Sequence, residues 1–208
     1  TVAGALESAL PRITETFSAQ PDMEAAVRHS VGQTLLGLGR LEEAETQVAT
    51  ALAIRRRLHP GENHSEVADS LNLLGEIRYE TDRLDEAEEL YGEALAIRRA
   101  LYPGDHVDVA RTIDNLGNID HDRGELDRAE ARYREAWEMR RRLHGGDHRD
   151  VASGLNNLAV LAQDRGDLER AERLHRESLA MTRRVLGERH PEVASSLNNL
   201  ATILHDRG

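Results

Sequence analysis

No cysteine occurs among the 208 residues, which excludes disulfides, thiolate zinc sites and thiol chemistry together. Aromatic residues make up only 3%, so a core has to be assembled from Leu, Ala, Val and Ile, and that composition points to helices. Long apolar runs are missing as well. No stretch approaches the ~18 residues that suggest a membrane span, and no signal peptide opens the chain. A soluble, cytoplasmic protein without a membrane partner is expected. Positive charge is in short supply, with 27 Lys and Arg against 38 Asp and Glu, for a net charge of −11. Such a chain lacks the basic footprint that phosphate-backbone binding needs, so nucleic acid is not an expected partner.

What the chain does have is repetition. Val67, Val109, Val151 and Val193, each followed by Ala, recur at a step of 42 residues, as do Leu74, Leu116, Leu158 and Leu200. The next column holds only small residues, Gly75, Gly117, Ala159 and Ala201. Leu84, Leu126 and Leu168 keep the step, and so do the Ala-Glu pairs that begin at Ala87, Ala129 and Ala171. An earlier copy with Leu41 and Ala44-Glu45 is displaced by 43, because its loop from His59 to His64 is one residue longer than the loop from Tyr102 to His106. A fixed period of this length marks a tandem array, in which one unit cannot bury its faces alone and neighbours stack.

Each copy divides into two helices. In residues 148–189 the first, helix A, carries Leu155, Leu158, Ala159 and Ala162 at three- and four-residue spacing, one apolar stripe. Asp150, or Glu192 after Pro191, puts an acid in the first turn, where the helix dipole favours it. Gly39, Gly124 and Gly166 end helix A with a residue at ease in the left-handed region, and Asp82 takes that place in the second copy. Helix B follows with Leu168, Ala171, Leu174, Ser178 and Leu179. Acids at its start (Glu42-Glu43) and arginines at its end (Arg55-Arg56-Arg57) suit the macrodipole, which explains the Arg runs without a ligand. The small-residue columns mark where A and B cross, letting the backbones approach to the short end of the ~8–10 Å range.

These residues resemble the tetratricopeptide repeat, with small residues in both helices and an aromatic between, as in Ala87-Tyr91-Ala94 and Ala129-Tyr133-Ala136. Ala171-His175-Ser178 and Ala44-Val48-Ala51 fit more loosely. The 42-residue step, with Leu155-Asn156-Asn157-Leu158-Ala159, Leu197-Asn198-Asn199-Leu200-Ala201 and His190-Pro191-Glu192-Val193-Ala194, is similar to the kinesin-light-chain type. The resemblance covers residues 24–208. The segment from Leu6 to Glu24 is similar to the junction of arrays attached to bacterial serine/threonine kinases, although no Gly-rich loop or catalytic Asp motif is present. The expected fold is an all-α, right-handed superhelical solenoid of antiparallel helix hairpins. Residues 1–23 form an N-terminal capping helix, with Leu6, Leu10, Ile13 and Phe17 on one face and Pro11 starting or kinking it. Repeats then run 24–63, 64–105, 106–147 and 148–189, with helix A of a fifth at 190–208. The chain reads as a fragment of a longer protein.

Ten histidines raise a metal or acid/base hypothesis. His64, His106, His148 and His190 form one column before each helix A, but equivalent positions in stacked repeats lie roughly 10 Å apart. Zinc ligand atoms lie ~2.0–2.3 Å from one centre. A turn and capping role is expected instead, with no metal and no cofactor. His121-Asp122 is a repeat column shared with His205-Asp206 and Gln163-Asp164. No phosphate loop, nucleophile elbow or convergent acid/base set is present, so an enzyme is not expected.

The functional signal is polar residues on helix A. In repeat register the face lining a concave groove is Asp69, Asn72, Glu76 and Tyr79, then Arg111, Asp114, Asn118 and His121. Ser153, Asn156, Val160 and Gln163 follow, then Ser195, Asn198, Thr202 and His205. Asn is a poor helix former, and its amide offers both donor and acceptor, which suits clamping an extended peptide. The resemblance supports Asn72, Asn156 and Asn198 in that role. Asn115, Asn157 and Asn199, one position on, either join them or bridge adjacent helices. Kinesin-light-chain grooves that take tryptophan-acidic motifs are basic, whereas Asp69, Glu76, Glu80, Asp114, Asp122, Asp164 and Asp206 face or flank this one. A basic or neutral protein or peptide is therefore the expected partner. The alternative is a self-associating array that docks through residues 192–206, where Val193, Leu197, Leu200, Ala201 and Leu204 form an apolar stripe.

Overall fold

The structure, a computed structural model, describes residues 10–61 and 63–207. Among these there is no strand, and none of the helices is long and apolar enough to cross a membrane. A 3-10 turn at Leu10–Arg12 leads into α1 (Ile13–Thr16). Four hairpins follow: α2 (Pro21–Gly37) with α3 (Leu41–Leu58), α4 (Ser65–Glu80) with α5 (Leu84–Leu101), α6 (Val107–Asp122) with α7 (Leu126–His144), and α8 (Arg149–Asp164) with α9 (Leu168–Leu186). A further A helix, α10 (Pro191–Arg207), packs on α9. The expected hairpins are all present. The capping helix differs from expectation: a 3-10 turn and one helical turn stand where a single helix was read, with Ile13 buried and Leu6 outside the described residues. Thr14 ties this segment to α2, accepting from Arg28 Nη2 at 2.6 Å and donating to Glu24 at 3.2 Å.

The chain forms two compact units, residues 1–103 and 104–208. In the first, α2/α3 and α4/α5 stack through α3 and α4 over a core that includes Leu35, Val48, Leu71, Leu74 and Ile77. In the second, α7 packs on α8 and α9 on α10. Tyr133, Leu158 and Leu161 form one buried cluster there, Val151, Leu155 and Met181 another, and Ala162, Ala171 and Ile203 a third. Burying each large apolar side chain stabilises by ~1.5–3 kcal/mol.

The local rules read from sequence hold for three of the four column histidines; His64 makes no side-chain cap bond at the start of α4. His106, His148 and His190 cap their helices, each Nδ1 accepting a backbone N–H two residues on (Asp108, Asp150, Glu192) at 3.2 Å. Gly124 and Gly166 sit at φ 74° and 77°, and Asp82 takes the same left-handed conformation at φ 58°. The small-residue column is set by what lies beneath it. A Cβ on Gly75 would stand 2.7 Å from the Tyr91 ring and one on Gly117 2.8 Å from Tyr133. In the fourth repeat Ala159 is tolerated because its counterpart is the smaller His175, buried at the position of Tyr133.

Candidate functional site

The helix A strip is only partly the surface that the register predicted. Asn72 and Asp114 do not line it: they are 3% and 8% exposed, and both are partnered from below by helix B. Arg98 on α5 donates through Nη1 to Asn72 Oδ1 at 3.0 Å and through Nη2 to Asp69 Oδ1 at 2.7 Å. Arg140 on α7 holds Asp114 in a buried ion pair. The Asn72 amide also donates to Glu76 at 2.7 Å. These two residues missed as groove contacts because the register counted faces without asking which arginine reached them.

The arginines are the functional side chains that sequence reasoning passed over. Arg55, Arg98 and Arg140 occupy one helix B column and are all buried, so a macrodipole role does not suffice for them. Arg55 donates to Ser70 Oγ at 2.7 Å and to the Glu66 carbonyl at 3.0 Å, both on the next A helix, α4. Its pKa is pulled down by burial and held up by Glu66 and Asp69. The carboxylate that answers each arginine moves. Asp69 serves Arg98 where Asn72 is neutral, and Asp114 serves Arg140 where the Asp69 position has become Arg111. Where the column becomes Thr182, both positions are uncharged, Ser153 and Asn156. A buried charge without a partner is too costly to keep, and this alternation obeys that rule. Burial pushes the Asp114 carboxyl up to about 6 even against the opposing pull of Arg140. Its Oδ1 finds no donor.

The remaining predicted residues lie nearer the surface. In the first unit Glu76 and Tyr79 are half-buried. In the second, Arg111, Ser153, Asn198 and Thr202 are exposed and Asn118, His121, Asn156 and Gln163 half-buried. Several are tied to their neighbours. Arg111 pairs with Asp108 at 2.8 Å, Asn118 accepts from the Tyr133 hydroxyl at 2.8 Å, and His121 Nε2 meets Asp164 at 2.5 Å across α6 and α8. Asn199 donates to Asn156 at 2.9 Å, so a bridge between adjacent A helices joins the two asparagine sets that were weighed apart. The acidic tally of the strip is smaller than its composition, since Asp69, Asp114 and Asp164 all have cationic or imidazole partners.

Two histidine clusters were also missed. His59, His64 and Glu66 lie together, as do His144, His148 and Asp150, each set with ligand atoms within 4.8 Å of one another. His64 and His148 stack on His59 and His144 at the end of the preceding B helix, with ring centroids 3.7 Å and 3.4 Å apart. His148 Nδ1 is committed to its cap, and Glu66 lies 3.6 Å from Arg55 Nε. The rings stack in both clusters, and of the four only His148 also caps a helix.

Serial antiparallel hairpins with small residues at each crossing define a helical-repeat scaffold. The chain belongs to the tetratricopeptide repeat family, whose profile matches residues 23–100, 66–142, 108–184 and 150–208. No curated protein matches it. Among solved structures it is similar to BtubC (BKLC) from P. vanneervenii, at 24% identity and TM-score 0.81, covering 99% of this chain and 82% of that one. A Podosopora anserina protein described as a kinesin light chain of nearly identical TPR-like repeats matches at 18% identity and TM-score 0.74, covering 91% and 89%. The apo form of RapI matches at 14% identity and TM-score 0.71, covering 88% and 64%. At these identities the likeness is one of fold, and it supports an array of the kinesin-light-chain type.

Proposed function

We propose that the chain is a non-catalytic interaction module that takes a peptide or partner segment along the A-helix strip, and that it prefers basic or neutral segments to acidic ones. The observation that carries this reading is in the second unit. There Arg111, Ser153, Asn156, Gln163, Asn198 and Thr202 present hydrogen-bonding groups at or near the surface of helices whose other faces are apolar. Neighbours engage only part of that run, Arg111 with Asp108 and Asn156 with Asn199, and an extended backbone needs such donors and acceptors. The lining residues of this reading are, in the second unit, Asn118, Asn156, Gln163, Asn198 and Thr202 with Arg111 and His121; Asp69, Glu76 and Tyr79 form the corresponding A-helix surface of the first unit, taken by itself. Asn72 and Asp114 hold the arginines beneath. Fluorescence anisotropy against a peptide library at two salt concentrations tests the reading. Replacing Asn156 and Asn198 together by Ala should weaken binding by about 1–3 kcal/mol in total. Preference for acidic peptides, or undiminished binding by the double variant, would overturn it.

A second reading, contact between copies through residues 192–206, is favoured by one observation. Leu197 and Leu204 are 43% and 45% exposed, whereas Leu155 and Ala162, at the same positions of α8, are each 1% exposed beneath α9. Val193 leaves that stripe, since it is buried. Sedimentation over a concentration range decides it, a constant monomer ruling self-association out.

A further inference from the structure

The helix B column that holds Arg55, Arg98 and Arg140 holds Thr182 in the next copy. Where the other side chains place a guanidinium, a cleft of about 290 Å³ opens between α8, α9 and α10. Its walls keep the acceptors that arginine uses elsewhere in the chain. Asn156 stands where Asn72 accepts from Arg98 at 3.0 Å. Ser196 and Glu192 stand where Ser70 Oγ and the Glu66 carbonyl accept from Arg55 at 2.7 and 3.0 Å.

Each acceptor is meanwhile held by a substitute donor. Asn199 Nδ2 donates to Asn156 Oδ1 at 2.9 Å, and the Ser196 hydroxyl turns back onto the Glu192 carbonyl at 2.9 Å. Arg149 Nη2 lies 2.6 Å from Glu192 Oε1, but its side chain is 62% exposed where that of Arg98 is 1%, so it lies over the mouth and does not fill the slot. Ser153 and Ser195, both exposed, complete the rim on the A-helix strip. The slot has kept its amide, hydroxyl and carbonyl acceptors and lost both its cation and the carboxylate that Asp69 or Asp114 supplies in the other copies.

We propose that this cleft receives the guanidinium of an arginine side chain presented by a bound protein segment. The proposal rests on the groove reading above for the source of that side chain. Guanidinium is the matching chemistry because the occupied slots use a planar fork: Arg98 sends separate nitrogens to Asn72 and Asp69. An ammonium is a point charge that cannot reproduce that spacing. The incoming group would take the Asn156 oxygen from Asn199, the Glu192 carbonyl from Ser196, and share the Glu192 carboxylate with Arg149.

N-acetyl-arginine amide, too short to occupy a groove, tests the slot separately from the groove. In a calorimetric and NMR titration it should bind the whole chain and shift the resonances of Asn156, Ser196 and Asn199. It should bind roughly tenfold better than its uncharged citrulline analogue, a ratio equivalent to about 1.4 kcal/mol. Arg149→Ala should strengthen that binding by removing the competing cation. Thr182→Arg should fill the slot from within, abolish the response and raise the melting temperature. No binding of the arginine amide, equal binding of citrulline, or an undiminished response in folded Thr182→Arg would overturn the proposal. If Thr182→Arg fails to fold, the wild-type and Arg149→Ala titrations still decide. Arginine-amide binding with no peptide binding would sink the groove reading alone, and the converse would sink the slot alone.

Discussion

Repeats three and four, α6/α7 and α8/α9, share a backbone plan and differ in two buried pairs. The third pairs Asp114 with Arg140 and sets Gly117 over Tyr133; the fourth has Asn156 and Thr182 at the first pair of positions and Ala159 and His175 at the second. In both cases the helix A change is answered by a helix B change 16 to 26 residues away. The unit of compensation is therefore the hairpin. A charge is gained or lost with its counterion, and a Cβ is gained only where the ring beneath shrinks. The third repeat has a filled, charged slot; the fourth has a neutral one that is open.

The sharpest way to break this comparison is to open the third slot. Arg140→Ala leaves the Asp114 carboxylate buried without its cation, and breaking such a pair costs on the order of 3 kcal/mol. Urea melts at pH 7.5 should show that loss, with a smaller one near pH 5, where Asp114 takes up a proton. An equal loss at both values would mean that the charge is not what the slot holds.

Next in size is the packing pair. Gly117→Ala drives a Cβ to 2.8 Å from Tyr133 Cε1 and should destabilise by ~1–3 kcal/mol through overpacking. Importing the fourth repeat's ring as well, in Gly117→Ala with Tyr133→His, should recover part of that loss, so the double-mutant cycle departs from additivity. Additive costs would mean that the two columns vary independently.

Acid titration should separate the repeats by on the order of 1–3 kcal/mol. Asp114 carries a pKa raised to about 6 by burial, so the native third repeat holds a proton that the unfolded chain has released. Its contribution therefore falls as pH rises from about 4 to 6. Burial pushes the His175 imidazole the other way, below its ordinary value. Its contribution is present above about pH 6.5 and is lost as pH drops below that. Asp114→Asn should flatten the first limb and His175→Gln the second. At pH 7, Asp114→Asn should itself cost on the order of 3 kcal/mol, because it leaves the buried Arg140 without a carboxylate where Arg98 keeps Asp69. Exchange of the two limbs between the variants would refute the assignment.

The comparison also shows what the sequence could and could not disclose. Helix identity, hairpin order and the small-residue crossings were legible because they depend on local periodicity and on columns that recur at 42 residues. Leu155 and Gly117 announce themselves in that way. The burial of Asn72 and Asp114 was not legible, since it depends on an arginine from the other helix of the hairpin. That arginine sits in a run, Arg98-Arg99, that helix electrostatics already explained. The informative signal was the break in the column, Arg55, Arg98, Arg140 and then Thr182, matched by the loss of carboxylates at Ser153 and Asn156. The histidine pairs escaped for the same reason: His144 and His148 belong to different columns, and only the turn between α7 and α8 brings them together.

The smallest expected effect comes from the column that the two repeats hold in common, which makes it the yardstick for the others. His106 and His148 both accept a first-turn N–H at 3.2 Å, satisfying one of the donors that a helix start leaves orphaned. Removing such a cap costs ~0.5–1 kcal/mol at the low end of measured values. His106→Ala and His148→Ala should each lose about that much, and the two losses should agree within roughly 0.5 kcal/mol, because neither cap touches the slots. His148 also stacks on His144 at 3.4 Å between ring centroids, so His144→Ala is the control that separates stacking from capping. If His144→Ala costs as much as His148→Ala, stacking and not the cap fixes the helix start. If the two cap variants differ by more than the slot variants do, the hairpin is not the unit in which this chain balances its substitutions.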